Sequence, residues 1–102
     1  MLAARIAAGI KEDNNTFTGV AIGDWDFAND VTSPGKHTGV YGFNKGAMSY
    51  AFKDDGTAFI GKDGSGRIIF DGKNGDIYSS TWKNDENEIG MYLGLDNGII
   101  KL

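Results

Sequence analysis

Residues 47–81 read AMSYAFKDDG, TAFIGKDGSG, RIIFDGKNG and DIYSST in succession. Gly46, Gly56, Gly66 and Gly75 punctuate this stretch at steps of about ten residues, each opening a short run that closes in a Lys/Asp/Asn/Gly turn. In these runs every second position tends to be apolar: Met48, Tyr50 and Phe52, then Ala58 and Ile60, then Ile68 and Phe70, with Ile77 continuing. That alternation is the signature of a strand with one buried face. The opposite positions hold Ser49, Thr57, Arg67 and Asp71, but also Phe59 and Ile69, so the second face is expected to be partly covered too. The expected fold is all-β: short stacked strands with a period of about ten residues.

Upstream, Thr38 begins a β stretch carrying Val40, Tyr41 and Phe43, and Phe17 to Gly23 reads as a strand. Between them, Ala28 to His37 holds the only proline and the only histidine and is the best loop, where binding groups tend to sit. Leu2, Ile6 and Ile10 stand four apart among alanines, which predicts a short N-terminal helix. Downstream, Thr81 to Glu88 reads as an acidic loop around Trp82. Gly90 to Leu95 and Gly98 to Leu102 read as strands about the turn Asp96-Asn97-Gly98. The chain divides into residues 1–16, a helix and turn; 17–45, first strands and loop; 46–81, the periodic part; and 82–102, a loop and last strands. Met1 reads as a start residue ahead of a segment of a longer chain.

Sixteen glycines against one proline in 102 residues call for many turns or close backbone approaches. The formal charge of -4 with dispersed Lys and Arg argues against a nucleic-acid surface, and no apolar run is long enough for membrane insertion. There is no cysteine. A chain this size buries about 60 to 70% of its unfolded surface, which is marginal for so much glycine, so self-association is expected.

Chemical templates fit poorly. A calcium loop begun at Asp71 would put Lys73 at a ligand position and Trp82 where the bidentate Glu belongs, so no metal site is expected, and no cofactor. Gly61 to Gly66 lacks the Lys-Ser/Thr end of a phosphate loop. His37 has no cysteine nucleophile and no GxSxG serine beside it in the sequence, and reads as a solvated loop histidine. Asp24 and Asp26 flank Trp25, which is a sugar site in miniature: two carboxylates on one face if extended, with an aromatic platform. Trp25, Trp82, Tyr41, Tyr78 and Tyr92 read either as a binding surface or as core.

The run Thr38–Ser80, centred on DGTAFIGKDGSGRIIFDG, resembles repeats in the distal part of bacteriophage tail fibres and minor tail structural proteins. The stretches LAARIAAG and TGVAIGDW are similar to what precedes that phrase in such proteins. The resemblance implies an intertwined or β-helix-like homotrimer attached to the virion and facing the host surface, with no catalytic motif to transfer. Three chains would close open strand edges and bury Met48, Tyr50, Phe52, Ile60, Ile68, Phe70 and Ile77 in a shared core.

The expected function is therefore non-enzymatic: a stiff trimeric shaft or tip that presents a surface to a host glycan or protein receptor. A carbohydrate-binding module using Trp25, Trp82, Asp24, Asp26 and His37 is the alternative, and a glycan hydrolase using Asp24 and Asp26 a further one.

Overall fold

The ten-residue step is the step of a hairpin ladder. The computed structural model describes residues 3–11, 16–28, 30, 32–61, 66–82, 90–96 and 98–101. Its strands are β1 (Ala3–Lys11), β2 (Phe17–Asp26), β3 (Lys36–Asn44), β4 (Ala47–Lys53), β5 (Thr57–Ile60), β6 (Ile68–Asp71), β7 (Asp76–Ser79), β8 (Tyr92–Gly94) and β9 (Ile99–Lys101). All nine form one antiparallel sheet in chain order, so each strand pairs with its sequence neighbours and β1 and β9 are open edges. The four punctuating glycines, 46, 56, 66 and 75, have φ between 71° and 88°, a region that residues with a Cβ rarely enter.

The expected N-terminal helix is a strand instead, and the described residues contain no helix. A ten-residue helix containing glycine is marginal in water, whereas β2 offers a complete hydrogen-bonding edge. The strand pair is close: Ile6 faces Ile22, and Gly9 faces Gly19. A Cβ on Gly9 would lie 2.6 Å from the Gly19 Cα, so this crossing admits glycine alone.

Two apolar rows run across the sheet, one on each face. The covered row pairs Ala21 with Tyr41, Ala51, Phe59 and Ile69 in turn, and these side chains with Phe27 are the buried core. The open row runs Ile6, Ile22, Val40, Phe52, Ala58, Phe70, Ile77, Leu93, Ile100, one residue per strand without a polar interruption.

Within the single chain this reverses the expected phase of burial. Phe52, Ile60 and Ile68 are 49%, 42% and 43% exposed, while Phe59 and Ile69, the exceptions in the polar pattern, are core. Met48 packs against the core because the register shifts between Gly42 and Phe43. Tyr50 lies over Gly42 and against Phe52, with ring centroids 5.7 Å apart, and Phe70 and Ile77 are half-buried. Periodicity could not assign inside and outside because both rows are apolar; the covered one is met by described residues that follow β2, Phe27 against Phe59 and Thr32 at Tyr78.

The result is elongated, 45 × 23 × 19 Å, with a radius of gyration of 14.9 Å. A compact chain of this length would have about 13 Å.

Candidate functional site

Polar chemistry concentrates where the Phe27–Gly35 lid meets the turn between β4 and β5. The lid leaves β2 and is pinned at its neck by hydrogen bonds from Phe27 N to Gly35 O, 2.7 Å, and from Gly35 N to Phe27 O, 3.3 Å. Phe27 is buried edge-on against Phe59, with centroids 6.3 Å apart. Thr32 reaches across the sheet so that its hydroxyl lies 3.0 Å from the Tyr78 hydroxyl. The Lys53-Asp54-Asp55-Gly56 turn holds Asp55 by two hydrogen bonds, from Thr57 N at 3.0 Å and Thr57 Oγ1 at 2.7 Å, the way an Asx turn fixes its own backbone.

Across this junction the charges are paired. Lys53, a nearly inaccessible amine, forms an ion pair with Asp30 of the lid, donates to Ser33 O at 3.3 Å and sits over the Phe27 ring. Ser33 Oγ donates to Asp55 Oδ2. His37 Nδ1 lies 2.8 Å from Asp54 Oδ1, and its Nε2 lies 3.2 Å from both Ser33 O and Ser33 Oγ. Asp54 also accepts from Thr38 N at 3.1 Å.

These contacts move the titrations. Burial alone would lower the His37 pKa, but the hydrogen bond to Asp54 and the charges of Asp55 and Asp54 outweigh it, so the ring is held above 6.5. Burial would raise Asp55, but hydrogen bonds from Ser33 and Thr57 dominate and hold it well below the usual carboxylate range. Asp54 is lowered by its hydrogen bonds from His37 and Thr38. Burial pulls Lys53 below the ordinary lysine value, and Asp55 opposes that pull.

Of the expected loop Ala28–His37, Lys36 and His37 belong to β3, and the His37 side chain is 14% exposed and hydrogen-bonded to Asp54 and Ser33, not solvated. Asp24, Trp25 and Asp26 lie on β2, where the pleat splits them. Trp25 packs on the covered side against Tyr41 and Phe43, with centroids 5.7 and 5.6 Å away. Asp24 and Asp26, at alternate positions, share the opposite face, and Asp24 accepts from the Thr38 hydroxyl at 2.6 Å. A shallow cleft of about 180 Å³ lies beside them, lined by Asp24, Lys36, His37, Thr38 and Asp54. Small-molecule pockets more commonly hold about 300–1,000 Å³. The two carboxylates thus lie on one face of β2 and the Trp25 ring on the other.

Trp82 stacks on Tyr92 at 5.3 Å, and Tyr92 stacks on Tyr78 at 6.4 Å. Of the Thr81–Glu88 loop, only Thr81 and Trp82 are among the described residues. The Tyr92 hydroxyl donates to Asp76 Oδ1 at 2.7 Å, which raises its pKa.

Sequence reading missed the order Ser33, His37, Asp54, which resembles a nucleophile, base and orienting carboxylate. Its signal was available in the one histidine four residues after a serine, with an acidic KDDG turn downstream, but the partners meet only through tertiary folding. Ser33 Oγ donates to Asp55 Oδ2, and His37 Nε2 lies 3.2 Å from both the Ser33 carbonyl and the Ser33 hydroxyl, so the role of that nitrogen follows the ring's tautomer. His37, Asp54 and Asp55 also bring possible metal-ligand atoms within 4.8 Å of one another. Those atoms are engaged in the hydrogen bonds of the junction.

Comparison with protein-family models, curated proteins and solved structures finds no match to this chain.

Proposed function

We propose that the chain is a non-enzymatic structural segment of a phage tail fibre or tail-associated protein, assembled as a homotrimer into a stiff β shaft or tip. The observation that carries the reading is the open apolar row, which crosses all nine strands and in which, among the described residues, Ile6, Ile22, Val40, Phe52 and Ile100 are exposed. The protomer exposes 6513 Å². A folded monomer of 10.9 kDa typically exposes about 5,600 Å², so the excess is about 900 Å². A standard interface takes about 800 Å² from each partner. The surplus is comparable to one chain's share of a single interface, and copies of the same chain are the partners that cyclic symmetry would bring to it.

The tail-fibre assignment rests on the resemblance of Thr38–Ser80; the assembly rests on the open row. In such a fibre the trimer would sit on the virion and hold a surface toward a host glycan or protein receptor. Its work is mechanical: paired strands resist bending, and the apolar faces hold the copies together. Light scattering on the purified chain at micromolar concentration tests the assembly. A mass of three chains is expected, and a monomer mass would overturn it.

A further inference from the structure

We propose that the Phe27–Gly35 lid is a pH-sensitive latch, fastened at its Ser33 end by a doubly protonated His37 held between the lid and the β4–β5 turn, and loosened when that ring loses a proton. The inference does not depend on the assembly.

The geometry of the ring carries it. His37 Nδ1 faces a carboxylate oxygen of Asp54 at 2.8 Å, and Nε2 faces the Ser33 carbonyl oxygen at 3.2 Å. Both are acceptors. A neutral imidazole has one N–H, so only the imidazolium donates in both directions. Loss of the Nδ1 proton leaves a lone pair facing the Asp54 carboxylate, and loss of the Nε2 proton leaves one facing the Ser33 carbonyl, with only the Ser33 hydroxyl at 3.2 Å able to donate to it, so either loss weakens the junction.

The surrounding charges favour the imidazolium. Asp54 and Asp55 face the ring from the turn, Asp55 Oδ2 being 3.9 Å from Nε2. Asp24 on β2 and Lys36 on β3 line the same cleft. Lys73, from the β6–β7 turn, stands 3.9 Å from Asp55 Oδ2. Lys53 is paired with Asp30, with Arg67 contributing from beyond it. Against the lowering effect of burial, the Asp54 hydrogen bond, the Asp55 and Asp54 charges and the Ser33 carbonyl hold the ring above its ordinary value.

The sign follows. The stabilisation from His37 is complete below about pH 6.5 and is lost as pH rises through the higher folded-state value. The Asp54 and Asp55 contributions are present above about pH 4 and are lost as pH falls through their lowered values. The latch is thus closed in mildly acidic solution and loosens on the alkaline side. Lys53–Asp30, the Phe27–Phe59 contact, the Lys53 Nζ bond to Ser33 O and the Ser33 Oγ bond to Asp55 remain, so the Ser33 end is loosened and not released.

The experiment uses the full chain. The His37 ring is titrated by NMR while protection factors, corrected for intrinsic exchange, are measured for the amides of Gly35 and Thr38 at about pH 5.5 and 8.5. Protection at both is expected to fall about tenfold across the ring's own midpoint, with the Ile69 amide unchanged. His37→Gln should give low, pH-independent protection at Gly35. Should that variant fail to fold, Asp54→Asn serves instead: it should lower the ring midpoint and carry the opening with it. A ring midpoint at or below about 6.5, or a ring that titrates without a matching change at Gly35 and Thr38, overturns the proposal.

Discussion

Ala51 and Phe52 are neighbours in β4 and face opposite sides of the sheet, Ala51 1% exposed and Phe52 49%. The small side chain is inside because the covered face is already filled by the lid and by Tyr41 and Phe59. The large one lies outside, between Val40 and Ala58 in the open row.

Phe52→Asp places a charge at the middle of that row without touching the core. For the proposed trimer the expected outcome is loss of the three-chain mass in light scattering, with the far-UV circular dichroism of the β sheet retained. A variant that stays trimeric would move the interface to another face.

Phe59→Ala should act in the reverse way. The ring is buried, meets Phe27 edge-on and carries the Arg67 guanidinium 3.8 Å above it. Truncating a buried phenylalanine costs about 3–5 kcal/mol, which urea unfolding at a concentration below assembly would measure.

Gly19→Ala tests the β1–β2 crossing. A Cβ there would come within 2.7 Å of the Gly9 Cα. The expected destabilisation exceeds about 1 kcal/mol, and hydrogen exchange should show the protection of β1 amides lost before that of β5 and β6.

Asp55→Asn tests the acid side of the clasp. In the native chain the lowered Asp55 pKa gives stability that is complete above about pH 4 and falls away as pH drops through the folded-state value. Midpoints of urea unfolding followed from about pH 5 to 2 should therefore fall less steeply in the variant.

Asp76→Asn should bring the Tyr92 phenol back toward its ordinary pKa. The hydrogen bond to Asp76, then burial and the Asp76 charge, favour the neutral phenol in the folded state. Ultraviolet absorbance on an alkaline titration would show one tyrosine titrating earlier than in the native chain.

The strands and their ten-residue step were legible because local chemistry writes both: glycines at positive-φ turns and apolar alternation between them. The inside was not, since Phe59 and Ile69 make the covered row as apolar as the open one. The first segment misled for a related reason. Leu2, Ile6 and Ile10 stand four apart, and four is near one turn of helix but is also an even number, so the same spacing suits one face of a strand. Of the proposed site residues, Asp24 and Asp26 were expected to share one face if that segment is extended, as it is in β2; that Trp25 then lies on the covered side is set by its packing on Tyr41 and Phe43. The meeting of Ser33, His37, Asp54 and Asp55 had no periodic trace, because a loop and a turn come together only once the sheet between them has formed.

Chain-order pairing of the nine strands means that length is additive in this architecture. A further hairpin inserted at a turn would need a matching edge on each side and would leave every other strand pair in its register. The dominance of near-neighbour contacts also lets growth of the sheet start at any hairpin and proceed outward, as in solenoids, without waiting for distant ends to meet. The reach of an assembly built from such chains would then be set by the number of hairpins, a quantity that can change by two strands at a time while its cross-section stays constant.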